Sequence, residues 1–473
     1  MKLLLNKKTR TGIILIIAIA LSGFVSSYFY FSSKINTKPE DKFNNIADNE
    51  ADNTLQKGAT LGHNDDSTND NKSIGQTKND NLIPDKNNQE NSNNNNNTGT
   101  TSIGNPTSPD GKNKDNNIDN DGNKDINNNS KDDNIYGPKI KKPDAVKAIY
   151  LTGWSAGDTG RLNSLLTIAH QTEINSFVVD IKDDDGYVSY ASDIPAVKEY
   201  DAYKQKYNID KLITTLHDNG IYVIGRLVCF KDPVLSSKRP DLAVKDVSGG
   251  LWKDNHKITW LDPYNKESWP YIIDIAKEAL SKGFDEIQFD YVRFPNDGNK
   301  SAMVFKANDK KKYEVINEFL AYAKSELPGA IISADVFGII CESPEDTEDI
   351  GQYLELIGKD IDYISPMVYP SHYALGQIVN KITFPKPDLD PYGVVYNSLV
   401  KAKNRIAAVE GYKADVRPYL QGFTASWLRS GNYQVYGPKQ IREQIQAVYD
   451  AGYKEWIIWD PANKYPIEAF EKE

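Results

Sequence analysis

The chain has 473 residues, a formal net charge of −10 and two cysteines. A net negative charge disfavours the phosphate backbone, so the composition argues against nucleic acid as a partner. Cys229 and Cys341 do not stand at metal-ligand spacing with each other or with histidines, and a domain of this size folds without a covalent staple. We therefore expect two free thiols.

The first segment of the chain has the pattern of a membrane anchor. Residues 1–12 are rich in Lys and Arg, and an apolar run over residues 13–31 follows directly. About 20 apolar residues span a bilayer, whereas the core of a cleaved signal peptide is shorter, roughly 7–15 residues. We expect 1–12 to be a cytoplasmic flank and 13–31 a transmembrane signal anchor, with the rest extracellular. A cleaved signal peptide and secretion are the alternative.

The next segment, residues 32–138, is dominated by Asn, Asp, Lys, Ser, Gly and Thr and includes the run N-S-N-N-N-N-N-T at 91–98. Such a segment buries too little apolar surface to offset the entropy that ordering costs. We therefore predict a disordered extracellular linker, which leaves residues 139–473 as the globular domain.

Within the globular domain, runs of β-branched and aromatic residues alternate with stretches of helical periodicity. The runs predict strands at 146–153, 176–182, 222–230, 285–292, 330–337, 361–369, 416–423 and 455–460. The periodic stretches predict helices at 161–170, 209–220, 268–283, 313–324 and 439–452, with Gly220 as a helix stop. Strands and helices in this alternation predict the α/β class and a (β/α)8 TIM barrel. An open doubly wound sheet is the alternative, but no G-x-G-x-x-G motif follows the first strand.

Polar side chains recur at alternate positions of the predicted strands. Alternate residues of a barrel strand face the lumen and the helices, and a polar side chain under a helix is unfavourable, so parity places the polar ones inward. The side chains assigned to the lumen are Asp180, Lys182, Arg226, Gln288, Asp290, Ser333, Asp335, Tyr419 and Gln421, and Asp460 ends the last strand. The acids lie towards the carboxyl ends of the strands, where barrel enzymes carry their chemistry. Repulsion between converging carboxylates is costly, which favours a functional role.

Aromatic side chains follow the same strand ends: Trp154, Tyr291, Phe294, Tyr369, Tyr373, Trp427 and Trp459. An aromatic face beside carboxylates suits a sugar ring, which has an apolar face and hydroxyl edges; core packing is the alternative for any single one of them. His372 has no second histidine at ligand spacing, so we predict no metal site and no cofactor. The predicted substrate-binding side chains are Trp154, Lys182, Arg226, Tyr291, Arg293, Tyr369, His372, Gln421, Trp459 and Asp460.

Paired carboxylates are the usual equipment for cleaving a glycosidic bond, since one protonates the leaving oxygen and the other attacks or activates water. Asp290 and Asp335 lie at equivalent depth on adjacent predicted strands. We predict Asp290 as the nucleophile and Asp335 as the acid/base, with Asp180 as a third catalytic carboxylate that substitutes for either. Asp183 and Glu342, in loops at the rim, remain possible acids.

Five motifs carry a family resemblance: G-W-S-A-G after strand 1, V-V-D-I-K-D-D-D-G at strand 2, F-D-Y-V-R-F-P at strand 4, S-A-D-V-F-G at strand 5 and the closing I-I-W-D-P. Over residues 145–470 the chain resembles a family of bacterial glycoside-hydrolase-like domains, formerly of unknown function and related to other glycosidase-like (β/α)8 barrels. The resemblance implies a sugar-processing barrel and supports Asp290 as a site residue.

The sequence as a whole predicts an extracellular glycoside hydrolase that cleaves a cell-wall, capsular or environmental polysaccharide. Its partners are then the poly- or oligosaccharide and the membrane that holds the N-terminal helix. A catalytically inactive barrel that binds glycan at the cell surface is the main alternative, and a deacetylase or lyase is a third.

Overall fold

The computed structural model describes residues 134–472. The predicted cytoplasmic flank, transmembrane anchor and all but the end of the predicted linker lie outside the described residues. Between residues 134 and 472, no helix combines the length and the apolar character that crossing a membrane requires.

Eight parallel strands form one closed sheet around the domain axis. They are β1 (Lys147–Leu151), β2 (Ser176–Lys182), β3 (Tyr222–Val228), β4 (Glu286–Asp290), β5 (Ile331–Phe337), β6 (Tyr363–Met367), β7 (Tyr419–Gln421) and β8 (Trp456–Trp459). Each strand pairs with the next in chain order, and β8 pairs with β1. The closed parallel barrel predicted from the alternation of strands and helices is confirmed.

Helices connect the strands. The α-helices are α1 (Gly153–Gly157), α2 (Thr159–Gln171), α3 (Pro195–Glu199), α4 (Ile209–Asp218), α5 (Pro233–Lys238), α6 (Trp269–Ser281), α7 (Lys312–Glu326), α8 (Leu354–Ile357), α9 (Pro391–Ile406) and α10 (Pro438–Asp450). Short 3-10 turns cover Pro240–Leu242, Lys266–Ser268, Lys300–Ala302, Gly338–Cys341, Pro370–His372, Pro387–Leu389 and Ile467–Ala469.

The helix ends follow local sequence signals. Asp158, Asn208 and Asp390 each accept a backbone N–H through the side chain in the first turn of α2, α4 and α9, which satisfies a donor that the helix leaves open. Gly220, at φ 72°, stands just beyond α4 in the left-handed region, as the helix-stop prediction requires.

The hydrophobic core has two parts. The larger part lies between the barrel strands and the surrounding helices. The smaller part comprises Val146, Ala148, Tyr150, Val178, Tyr222, Ile224, Tyr369, Tyr419, Phe423, Ala425 and Ile457. Because these strand residues alternate with residues of the first part, the smaller cluster fills the lumen, and it supports the site at the carboxyl ends of the strands.

The structure departs from the sequence prediction at β7 and at several helices, of which α9 is the longest. β7 is short, and the segment Asp415–Val416 pairs separately with β6 before it, because Pro418 between them has no N–H to continue the ladder. The helix α9 was not predicted, although Asp390 and Pro391 form a good helix start; Gly393 and the β-branched pair that follows weaken the helical pattern.

Candidate active site

Four charged side chains meet at the mouth of the barrel, on consecutive strands. Asp180 of β2 stands beside Arg226 of β3 in the strand register, and Val228 of β3 stands beside Asp290 at the end of β4. Asp335 lies one position beyond the last β4–β5 pair, Phe289 with Ala334. Sequence parity predicted this convergence, and the structure brings the four side chains together.

Arg226 bridges two of the three carboxylates. Its Nη1 donates to Asp180 Oδ1 at 2.7 Å, and its Nε and Nη2 donate to Asp290 Oδ2 at 2.9 and 2.6 Å. All three side chains are almost completely buried, so these charge-assisted bonds act in a medium of low dielectric constant. The charge of Asp290 therefore stands against a fixed counterion, and Asp290 Oδ1 also accepts the Tyr291 N–H at 2.6 Å.

Asp180, like Asp290, has both of its carboxylate oxygens bonded. The Tyr150 hydroxyl donates to Asp180 Oδ2 at 2.7 Å, and Arg226 donates to the other oxygen. These bonds orient Arg226 towards Asp290.

Asp335 has the opposite environment. Its side chain is buried, and its Oδ1 has no hydrogen-bond partner among the described residues. Burial, and next the negative charge of Asp290, raise the pKa of Asp335 well above its usual range, although Arg226 and Arg417 oppose this shift. Asp335 therefore keeps its proton to a higher pH than an ordinary aspartate does.

Aromatic rings form a wall beside the acids. Tyr369 stacks on Trp459 with centroids 5.8 Å apart, and Phe423 meets Trp459 edge-on at 5.3 Å. Trp427 stacks on Phe423 at 5.7 Å, and Tyr150 lies 6.1 Å from Trp459. Burial and the charges of Asp335 and Asp290 raise the pKa of the Tyr369 phenol, which places this ring next to both acids. The aromatic side chains that were predicted to follow the strand ends thus include a contiguous group on one side of the mouth, called the aromatic wall below.

His372 belongs to the same wall. Its ring lies 4.8 Å from the Tyr369 ring, and its Nδ1 is 3.0 Å from Ser371 Oγ. Burial lowers the pKa of His372 well below its usual range, so the imidazole is neutral. Within residues 134–472, no three His, Cys, Asp or Glu side chains are grouped to hold a metal ion.

Several of the predicted substrate-binding side chains support the site from behind. Lys182 is fully buried, where its Nζ pairs with Asp232 at 3.0 Å and donates to the Val228 carbonyl at 2.9 Å. The register shifts between Asp180 and Lys182, so strict alternation ends there. This irregularity removes Lys182 from the series of lumen residues that parity predicted, and its position is that of a structural ion pair.

Three more of the predicted substrate-binding side chains bond or pack against neighbouring protein groups: Gln421, Asp460 and Arg293. Gln421 is buried and bonds Ser371 and Asp388 through its amide. The Asp460 carboxylate accepts two backbone N–H groups of the turn that follows β8. Arg293 packs 4.6–5.1 Å from the rings of Phe337, Trp260 and Tyr291 and donates to the Phe294 carbonyl. None of the three has the position that was predicted for substrate contact.

The rim carries two further Lys–Asp ion pairs, which were not predicted from the sequence. Lys206 pairs with Asp183, and Lys231 pairs with Asp184 at 2.9 Å. Tyr291, held at φ 48° directly after β4, lies beneath Lys231, whose Nζ is 4.8 Å from the ring centroid. A left-handed tyrosine is costly and is held only where its surroundings require it. The three consecutive aspartates after β2 were the sequence signal for this rim.

A family model described as "Putative glycosyl hydrolase domain" matches residues 148–465, which include the barrel strands, except the first residue of β1, and the whole site described above. The chain belongs to this family. Its globular part is thus a glycosyl hydrolase domain, as the motifs predicted.

The chain is also similar to several solved structures. A hypothetical protein from Ruminiclostridium thermocellum is 65% identical, over 40% of this chain and 97% of its own, with a TM-score of 0.38. The glycoside hydrolase domain of PgaB from Bordetella bronchiseptica is 11% identical over 67% of this chain and 95% of its own, with a TM-score of 0.49. The spore cortex-lytic enzyme SleL of Bacillus megaterium is 13% identical over 69% and 74%, with a TM-score of 0.40. A comparison with curated protein sequences gives no significant match.

Proposed function

We propose that this domain hydrolyses the glycosidic bonds of a polysaccharide, with Asp290 as the nucleophile and Asp335 as the acid and base. The observation that supports this most is the contrast between two neighbouring carboxyls. Asp290 is ion-paired with Arg226, whereas Asp335 is buried, has an unbonded oxygen and has a raised pKa. A buried carboxyl with a raised pKa suits the acid, and a carboxylate held by a guanidinium suits the nucleophile.

The proposed reaction has two steps. In the first, Asp335 gives its proton to the leaving oxygen as the bond from that oxygen to the anomeric carbon breaks, and an Asp290 oxygen forms an ester with that carbon. In the second, Asp335 takes a proton from water, the water oxygen attacks the anomeric carbon, and Asp290 leaves as a carboxylate. Arg226 stabilises the charge of Asp290 before and after the ester exists.

The aromatic wall indicates the substrate class. Trp427 and Trp459 are partly exposed beside the acids, whereas Tyr369 and Phe423 are buried and pack against them. The apolar face of a pyranose ring packs on an exposed aromatic surface of this kind. The carboxylates of Asp180 and Asp290 outnumber the one guanidinium, of Arg226, that bridges them, and this charge disfavours an anionic sugar next to the reacting bond. A neutral polysaccharide fits this arrangement best.

The activity test uses the full chain with cello-, chito- and malto-oligosaccharides and with aryl glycosides. We expect hydrolysis with retention of anomeric configuration, observed by NMR of the first product. Inversion would assign Asp290 to water activation instead of nucleophilic attack. Binding of a glycan without hydrolysis of any substrate would favour the inactive glycan-binding barrel.

Replacing Asp335 by asparagine tests the acid. We expect kcat/KM to fall roughly 10²–10⁴-fold for an oligosaccharide, the usual contribution of general acid catalysis. The loss should be smaller for a dinitrophenyl glycoside, whose leaving group needs no proton. Because the raised pKa keeps Asp335 protonated up to a higher pH, the wild-type rate falls on the alkaline side as this proton is lost. That alkaline limb should be absent from the pH profile of the Asp335→Asn variant.

Asp183 is the second candidate for the acid. The pH profile of the rate distinguishes Asp183 from Asp335. Burial raises the pKa of Asp183 to about 6, against the lowering effect of Lys206. If Asp183→Asn removes the alkaline limb while Asp335→Asn leaves it in place, Asp183 is the acid and the assignment of Asp335 is wrong.

The domain is also proposed to act outside the cell. The support is the basic flank of residues 1–12 and the apolar run of 13–31 in the sequence. Brief protease treatment of intact cells should then release or degrade the barrel, detected by an antibody against residues 139–473, while a cytoplasmic marker survives. Full protection of the barrel would contradict surface display, and its recovery from the medium would indicate a cleaved signal.

A further inference from the structure

Trp154 stands at the mouth with 60% of its surface exposed, although a tryptophan side chain stabilises a fold mainly when it is buried. It lies in α1, directly after β1, on the face that carries the acids. We propose that Trp154 is the platform of a second sugar subsite, separate from the aromatic wall and used by a further sugar of the same chain. This inference rests on the proposed function and specifies its substrate as a chain of several sugars.

The platform is held rigidly. Thr152 Oγ1 accepts the Ser155 N–H at 3.1 Å, and the Thr152 N–H donates to Asn463 Oδ1 at 3.0 Å. Arg161 reaches across to Ser155 Oγ at 3.4 Å and to the carbonyl that follows β8. These bonds fix the backbone that carries the indole, so α1 loses little conformational entropy when a sugar binds.

The first residue of α1, Gly153, packs closely on the segment below it. A Cβ at Gly153 would lie 2.9 Å from Lys206 Cδ and 2.9 Å from Ser189 Oγ. Glycine at this position therefore lets α1 sit directly on the segment that carries Lys206. Trp154, the next residue, stands on this closely packed segment with its indole exposed.

Polar groups lie beside the indole, where a sugar on it would present its hydroxyls. Lys206 Nζ is 5.9 Å from the Trp154 ring centroid and pairs with Asp183. The Asp183 side chain is 17% exposed. A sugar hydroxyl on the indole can bond the exposed part of this side chain, directly or through one water. An aromatic face with a few convergent polar groups is the usual composition of a carbohydrate subsite.

The subsite is connected to the catalytic centre through charged groups. The charge of Asp180 is among the causes of the raised pKa of Asp183, so the two carboxylates lie near each other. Asp180 contacts Arg226, and Arg226 contacts Asp290. A glycan can therefore lie across the mouth with its reacting sugar at Asp290 and the aromatic wall while another sugar rests on Trp154.

The experiment compares Trp154→Ala with wild type on long and short cello-, chito- and malto-oligosaccharides and on p-nitrophenyl monosaccharides. The measured quantity is the ratio of kcat/KM for the longest cleaved oligosaccharide to kcat/KM for the shortest substrate. We expect this ratio to fall about tenfold, the effect of losing one stacking contact. Trp154→Phe should retain most of the ratio, and Tyr322→Ala on the outer helix α7 is the matched control, with ratio and activity unchanged.

Each outcome decides the inference. An unchanged ratio in Trp154→Ala, with an unchanged melting temperature, overturns the subsite even if the domain is an active hydrolase. If wild type cleaves none of the substrates, the proposed function fails, and the same variants are compared by affinity electrophoresis in gels containing soluble cellulose, chitin and starch derivatives. Loss of retardation in Trp154→Ala alone then supports the subsite; equal retardation in all variants, or none in wild type, overturns it.

Discussion

Replacing Asp290 by asparagine is expected to lower kcat on every cleaved glycoside by at least about a thousandfold, because the amide is a poor nucleophile for the anomeric carbon. Affinity for the uncleaved glycan should persist, since the aromatic wall does not depend on the carboxylate. The measurement is initial-rate kinetics together with binding of an oligosaccharide that the variant no longer hydrolyses.

The control for this variant is Asp185→Asn, the same chemical change at an exposed acid in the loop after β2. It should leave kcat and the melting temperature near wild-type values. Full activity in Asp290→Asn would exclude Asp290 from the nucleophilic step whatever the fold. Because Asp290 also bonds Arg226, the melting temperature of the variant must show that it is folded before the kinetic loss is interpreted.

Replacing Arg226 by methionine is expected to destabilise the domain by about 3–5 kcal/mol and to abolish activity. Methionine fills much of the same space, but it leaves Asp180 and Asp290 buried without their counterion, and a buried charge without its partner is costly. Chemical denaturation of the two proteins at neutral pH measures the loss in the free energy of unfolding.

A triple variant separates charge from packing. The triple variant combines Asp180→Asn, Asp290→Asn and Arg226→Met, and it leaves no uncompensated charge at this position. We therefore expect its free energy of unfolding to recover most of what Arg226→Met loses, while activity stays absent. If the triple variant is as unstable as Arg226→Met alone, the loss comes from packing around the side chain, and the electrostatic account of the site is wrong.

Much of the architecture could be predicted from the sequence because barrel strands are locally encoded. β2 has the bounds that its apolar run predicts, and the other strands lie inside the predicted runs, because β-branched residues favour strands whatever surrounds them. Parity worked for Asp180, Arg226, Asp290 and Asp335 because a barrel strand turns alternate side chains inward.

Parity failed at Lys182 because one irregularity in register ends the alternation. No pattern in the amino-acid sequence predicts that shift in register. Trp154 and the Asp183–Lys206 pair show the same limit, since their residues are distant in the chain and meet only when α1 packs on the segment after β2.

The sequence by itself determined the barrel, the family and the set of acids at the carboxyl ends of the strands. These features follow from local periodicity and from short motifs. The tertiary structure alone shows the surroundings of each acid, on which the proton affinity of a carboxyl depends. Arg226 lies against Asp290 and not against Asp335, and that placement distinguishes the proposed nucleophile from the proposed acid.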